Sequence, residues 1–109
     1  MSGETMTTRL LFRTQFVEGS QDRVLEIVLA ALPELEALPC VQGVTAHVDR
    51  NAQDVVWAIW EFRSDDDMFA LQQAAEYRRF LTHLRPLVTE HGVQTHVLKQ
   101  AGDQARRAD

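Results

Sequence analysis

The chain reads as one α+β domain in which helices cover one side of a four-stranded antiparallel sheet. Three observations predict this. Stretches of alternating apolar residues and stretches of helical apolar spacing follow the order strand, helix, strand, strand, helix, strand. Several strands carry apolar side chains on both faces, so a second copy is expected over the face that the helices leave open. The length of 109 residues fits a single domain, and so small a domain often gains stability by pairing.

Residues 9–17 open the pattern as a strand. Leu10, Phe12, Thr14 and Phe16 fall on one face, and Leu11, Arg13, Gln15 and Val17 on the other. Glu18, Gly19 and Ser20 turn the chain, with Ser20 placed to cap the next helix. Val24, Ile27, Val28, Ala31, Leu35 and Leu38 recur at helical spacing, which predicts an amphipathic helix from Gln21 to about Leu38. Pro33 removes the hydrogen bond to the Leu29 carbonyl, so a kink is expected there, and Pro39 ends the helix.

Residues 41–49 and 54–62 alternate as two strands joined by the polar loop 50–53, which predicts a hairpin. Val56, Ala58, Trp60 and Phe62 share one face of the second strand, and Val55, Trp57, Ile59 and Glu61 the other. Ser64 followed by Asp65, Asp66 and Asp67 is a helix start, with carboxylates at the positive helix end. That capping run explains the three acids better than a cation site, because it lacks the spaced oxygens of a calcium loop. The helical region extends to about residue 90, with a break near Ala75 and Glu76. Tyr77, Phe80, Leu81, Leu84 and Val88 form its later stripe, Pro86 is expected to bend it, and Gly92 to stop it. Residues 93–99 alternate as the last strand. Residues 1–8 and 100–109 are polar and aperiodic and read as loose ends, leaving 9–99 as the domain.

Composition narrows the function. The formal charge of −5 gives no general attraction to nucleic acid or an anionic membrane. No apolar run is long enough to span a bilayer, and the first residues form no signal peptide. The single cysteine, Cys40, excludes an intrachain disulfide and suits a reducing cytoplasm. It has no metal-ligand spacing and reads as a buried structural thiol. The four histidines, His47, His83, His91 and His96, form no metal motif. With no glycine-rich nucleotide loop, no GxSxG and no CxxC, neither a dinucleotide, a nucleoside triphosphate nor zinc is indicated.

Four stretches carry a resemblance. They are Phe16 to Ser20 after the first strand, Leu38 to Val44 entering the second, Trp60 to Asp66 leaving the third, and Tyr77 to Leu81 in the last helix. Over residues 9–99 the sequence resembles the antibiotic biosynthesis monooxygenase family of the dimeric α/β-barrel superfamily. The resemblance implies a ferredoxin-like βαββαβ fold, a homodimer whose two sheets pack together, and a ligand cavity in each subunit between sheet and helices. Some members oxidise polycyclic aromatics with O₂ and neither metal nor flavin, using a Trp, Asn, Tyr and Arg set. A Trp, Tyr77 and Arg78 are its counterparts here. The haem-degrading branch uses an Asn on the first strand, where this chain has none, and a Trp where this chain has Phe62, so haem ranks last.

The site expected on this basis is aromatic. Phe12, Phe16, Trp60, Phe62 and Phe80 would hold a flat apolar ligand, although such rings equally fill a core. Arg13 and Arg78 are candidates to meet a carboxylate or phenolate. His83 is the preferred base, since imidazole as a group titrates near neutrality; a solvent-facing helix histidine is the plainer alternative. Tyr77 is the candidate hydrogen-bonding partner. His47 and His96 are expected on sheet edges, and Trp57 at the dimer interface. The function implied is a cofactor-independent, monooxygenase-like oxidoreductase of the cytoplasm, acting on a small aromatic or polyketide-type molecule. The alternative is a non-catalytic dimeric binding or accessory module.

Overall fold

A computed structural model describes residues 7–99. Strand β1 (Thr8–Phe16) leads to helix α1 (Gln21–Glu36), then β2 (Gly43–Val48), β3 (Val55–Phe62), a short helix α2 (Asp65–Leu71), α3 (Ala75–Leu84), a 3₁₀ turn (Arg85–Leu87) and β4 (Val88–Lys99). The sheet order is β2-β3-β1-β4, and every pairing is antiparallel. This is the ferredoxin-like α+β fold. The two central strands are β1 and β3, so His47 and His96 do lie on edge strands. Among the described residues no helix is long and apolar enough to cross a membrane.

The register fixes the two faces. Leu10, Phe12, Thr14 and Phe16 of β1 share the inner face with Val56, Ala58, Trp60 and Phe62 of β3 and with Val44 and Ala46 of β2. Helices α1 and α3 pack over that face. Leu11, Arg13, Trp57, Ile59, His47 and His96 lie on the outer face.

Several boundaries differ from expectation, each for a local reason. Thr8 belongs to β1, not to a loose end. It is fully buried, and its hydroxyl donates to Asp65 Oδ1 at 2.8 Å, where Lys99 Nζ also donates at 2.7 Å. The remaining expected loose ends, 1–6 and 100–109, lie outside the described residues. Ser20 does not cap α1 through its side chain; its hydroxyl donates to the Val17 carbonyl instead. Ser64 caps α2 as expected, its Oγ accepting from the Asp67 N–H at 3.2 Å. Helix α1 continues through Pro33 to Glu36, and the carbonyl that loses its partner belongs to the solvent-exposed Leu29.

The largest correction concerns residues 85–92. The last helix ends at Leu84, and Pro86 sits in the 3₁₀ turn, where a missing N–H costs little. Gly92 is not a helix stop but a buried point inside β4. Thr14 pairs with Val93 and Phe16 with Val88, so Gln15 alone faces four residues of β4 in a wide bulge. Within it His91 adopts φ +62°, Thr89 Oγ1 donates to the Gln15 carbonyl at 3.2 Å, and a Cβ on Gly92 would come within 2.7 Å of that same carbonyl. Only glycine fits there.

Candidate functional site

The core is split. One buried cluster joins Leu10, Leu35, Val41, Val44, Trp60, Phe62, Met68, Leu71 and Tyr77; another joins Phe16, Val24, Val28, Val56 and Leu84. Between them is a cavity of about 320 Å³, bordered by residues of both clusters. Its cause can be read from the register. Ala46, Ala58 and Phe12 form one row across the inner face, between the row of Val44 and Trp60 and the row of Val56 and Thr14. Two adjacent alanines leave a hollow where larger side chains would fill the space beneath α1 and α3. Leu32 and Leu35 of α1 and Tyr77, Phe80, Leu81 and Leu84 of α3 roof it, and the β4 bulge closes one side with Val88 and Val93. The volume lies at the lower end of the range for small-molecule sites, about 300–1,000 Å³.

Aromatic rings set one wall. Trp60 is 1 % exposed and meets the edge of Tyr77 at 5.6 Å with ring planes at 90°. It also stacks parallel to Phe62 at 6.3 Å. The Trp60 indole N–H is buried and has no acceptor among the described residues. An orphan donor of this kind costs about 1–3 kcal/mol. Burial pushes the Tyr77 phenol above its ordinary range. At neutral pH Tyr77 therefore stays protonated, fit to donate a hydrogen bond and unfit to act as a base.

The expected site residues divide into two groups. Phe12, Phe16, Trp60, Tyr77 and Phe80 border the cavity. Phe62 does not. It is 0 % exposed, packed with Met68 and Leu71 beyond Trp60, and serves as core. Arg78 does not point inward either. Its Nε donates to the Gln72 carbonyl at 3.0 Å and its Nη2 to Gln73 Oε1 at 3.3 Å, which covers the end of α2. Arg13 lies on the outer face of β1, opposite Trp57.

His83 is the main correction. It is exposed and lies on a separate surface groove between α1 and α3, with Arg23, Glu26, Glu34, Glu76 and Arg79. Six positions after Tyr77 on a helix is a rotation of about 120° away from the cavity side. No histidine borders the cavity.

Sequence reasoning missed Ala46, Ala58 and Arg85. The alanines carry no motif; their only signal is small size at central inner-face positions. Arg85, at the C-terminal end of α3, borders the cavity although it is solvent-exposed, so it stands at the mouth. Thr14 is another polar side chain on the inner face. Thr45 borders the cavity too, but its hydroxyl is paired with His47 Nε2 at 2.9 Å. Cys40 is half-buried against the first cluster, and burial pushes its thiol up, away from the reactive thiolate. Among the described residues no group of three or more His, Cys, Asp or Glu could hold a metal ion.

No family model matches the chain, and no curated protein matches it. Solved structures do. A candidate antibiotic biosynthesis monooxygenase from Nitrosomonas europaea superposes with a TM-score of 0.81 at 7% identity, covering 92% of this chain and 95% of that one. Another such candidate, from Bordetella bronchiseptica, gives 0.77 at 16% identity over 87% and 97%. A point mutant of SnoaB, a cofactor-independent oxygenase from Streptomyces nogalater, gives 0.73 at 14% identity over 86% and 92%. The chain therefore has the antibiotic biosynthesis monooxygenase fold that its sequence resembles.

Proposed function

We propose that the chain is a cofactor-independent, monooxygenase-like oxidoreductase that acts on a small aromatic or polyketide-type molecule held between sheet and helices. The observation that carries this reading is the alanine-floored cavity of about 320 Å³, walled by Phe12, Trp60, Tyr77 and Phe80. It suits a flat apolar ring system of modest size. The fold shared with SnoaB, described as a cofactor-independent oxygenase, supports the same chemistry.

In this scheme the substrate is activated as its own carbanion or phenolate, which reduces O₂. A ring CH₂ becomes C=O. One oxygen atom enters the product, and the other leaves as water with the two hydrogens. The protein supplies an apolar enclosure that excludes bulk water and a neutral phenol, Tyr77, that donates to the substrate oxygen. A second copy covers the outer face, where Leu11 and Ile59 sit side by side, and the pair works in the cytoplasm. Oxygen uptake with anthrone-like substrates tests the reading. Uptake of one O₂ per product, lost on filling the cavity, is expected; no uptake across a broad anthrone and hydroxynaphthalene panel would overturn it.

One observation favours a second reading. With His83 outside, no histidine or carboxylate among the described residues borders the cavity to take a proton. A non-catalytic dimeric binding module would retain ligand affinity and consume no oxygen. Haem binding remains the third reading, and hemin added to the protein would then give a Soret band.

A further inference from the structure

Among the described residues the cavity border carries one charged residue, Arg85, and no carboxylate. Five cations among the described residues are already occupied. Arg9 pairs with Glu61, Arg23 with Glu26, Arg79 with Glu34 and Lys99 with Asp65, while Arg78 is held by Gln72 and Gln73. Among the described residues Arg85 has no carboxylate within ion-pair distance. Arg13, Arg50 and Arg63 have none either, but none of those three borders the cavity.

The position of Arg85 follows from the local chain. Helix α3 ends at Leu84, and Pro86 prevents the helix from continuing, so Arg85 sits where α3 gives way to the 3₁₀ turn. Leu84, one residue earlier, and Val88, three residues later, both border the cavity and bracket Arg85 along its rim. A guanidinium at the edge of an apolar hollow presents a planar fork of donors that matches a carboxylate. The apolar walls raise its attraction for an anion above that of a cation in open water.

We infer that the cavity takes a flat aromatic acid, its rings between Phe12, Trp60 and Phe80 and its carboxylate paired with Arg85 at the mouth. This rests on the cavity being the binding site. It adds a charge, and hence an orientation, to the ligand: the ring edge opposite the carboxylate goes deepest, toward the Ala46 and Ala58 floor.

The test compares 2-naphthoate with the neutral, near-isosteric 2-naphthamide by calorimetric titration of the full chain. On the unaltered protein 2-naphthoate should bind roughly fivefold or more tightly than 2-naphthamide, and the preference should shrink with added salt. Arg85→Gln should remove the preference and leave 2-naphthamide affinity unchanged; Arg85→Lys should keep part of it. Equal affinity for the two probes, or an Arg85→Gln loss shared by both, would overturn the role of Arg85 and leave the cavity reading standing. Failure of both probes to bind at millimolar concentration would overturn the cavity reading itself, and this inference with it.

Discussion

The two sides of the sheet differ in what their side chains lack. On the inner face the row Ala46, Ala58 and Phe12 is too small for the space under the helices, so an apolar hollow remains. On the outer face the side chains are large and mixed. Trp57 Nε1 donates to Asp49 Oδ2 at 2.9 Å, Arg9 pairs with Glu61 at 2.9 Å, and Leu11 and Ile59 sit side by side between these polar groups. Leu98, at 47% exposure, extends the apolar part onto β4. The inner face leaves a hollow that suits a small molecule; the outer face presents a broad surface of mixed large side chains, where the proposed second copy would sit. Residue size at one register position, not overall hydrophobicity, separates the two.

The contrast can be broken in several ways. The largest effect belongs to the filled part of the inner face. Phe62→Ala, at a fully buried ring stacked on Trp60, should cost about 3–5 kcal/mol in urea unfolding, against about 1 kcal/mol for Ile59→Ala measured on the isolated monomer. Equal losses would mean that the two faces are packed alike. Next comes the outer face. If a second copy covers it, Ile59→Asp should weaken dimerisation about a hundredfold in sedimentation runs, about 2.7 kcal/mol, by burying an unpaired charge. An unchanged sedimentation profile would remove the outer face as the interface.

Filling the hollow should have a smaller effect on affinity and almost none on stability. Ala58→Phe should weaken aromatic ligand binding at least tenfold and change stability by less than about 1 kcal/mol, since the added ring enters existing space. A large loss of stability with affinity intact would show that the hollow is not where the ligand sits. The smallest effect concerns the seam between strands and α2. Lys99 and then Thr8, each hydrogen-bonding to it, hold the Asp65 carboxyl below the usual carboxylate range. A depressed folded-state pKa stabilises the fold above the unfolded value, about 3.9, and the gain is lost as pH falls through the folded value. Asp65→Asn should therefore lower the melting temperature at neutral pH, and the gap should close in strong acid. A gap independent of pH would contradict the pairing.

Much of the fold is legible in the sequence because its periods are clean. Alternation in β1 and β3 placed Phe12, Phe16, Trp60 and Trp57 on their correct faces, and Ser64 with its three aspartates marked the start of α2. The start of β4 was hidden. Leu84, Leu87 and Val88 continue a helical spacing, and Gly92 imitates a helix stop, so only the register with Gln15 reveals a bulge. The aromatic wall of the site was legible for the same reason as the strands. The floor was not, because an alanine that leaves a hole looks the same in sequence as one that fits a crowded place. His83 takes the plainer of its two readings, a solvent-facing helix histidine, because rotation around α3 turns it to the surface groove; residue chemistry alone does not reveal that direction. Arg85 was overlooked because its place depends on where α3 ends.

The central claim is that small aromatic molecules enter on the helix side of the sheet and not on the other. Methyl-labelled protein titrated with 2-naphthamide tests it directly by two-dimensional NMR. Resonances of Val28, Leu32, Leu81 and Leu84, which border the cavity, should shift and saturate together, while Leu11, Ile59 and Leu98 stay in place. Shifts confined to Leu11, Ile59 and Leu98, or none at saturating probe, would contradict it.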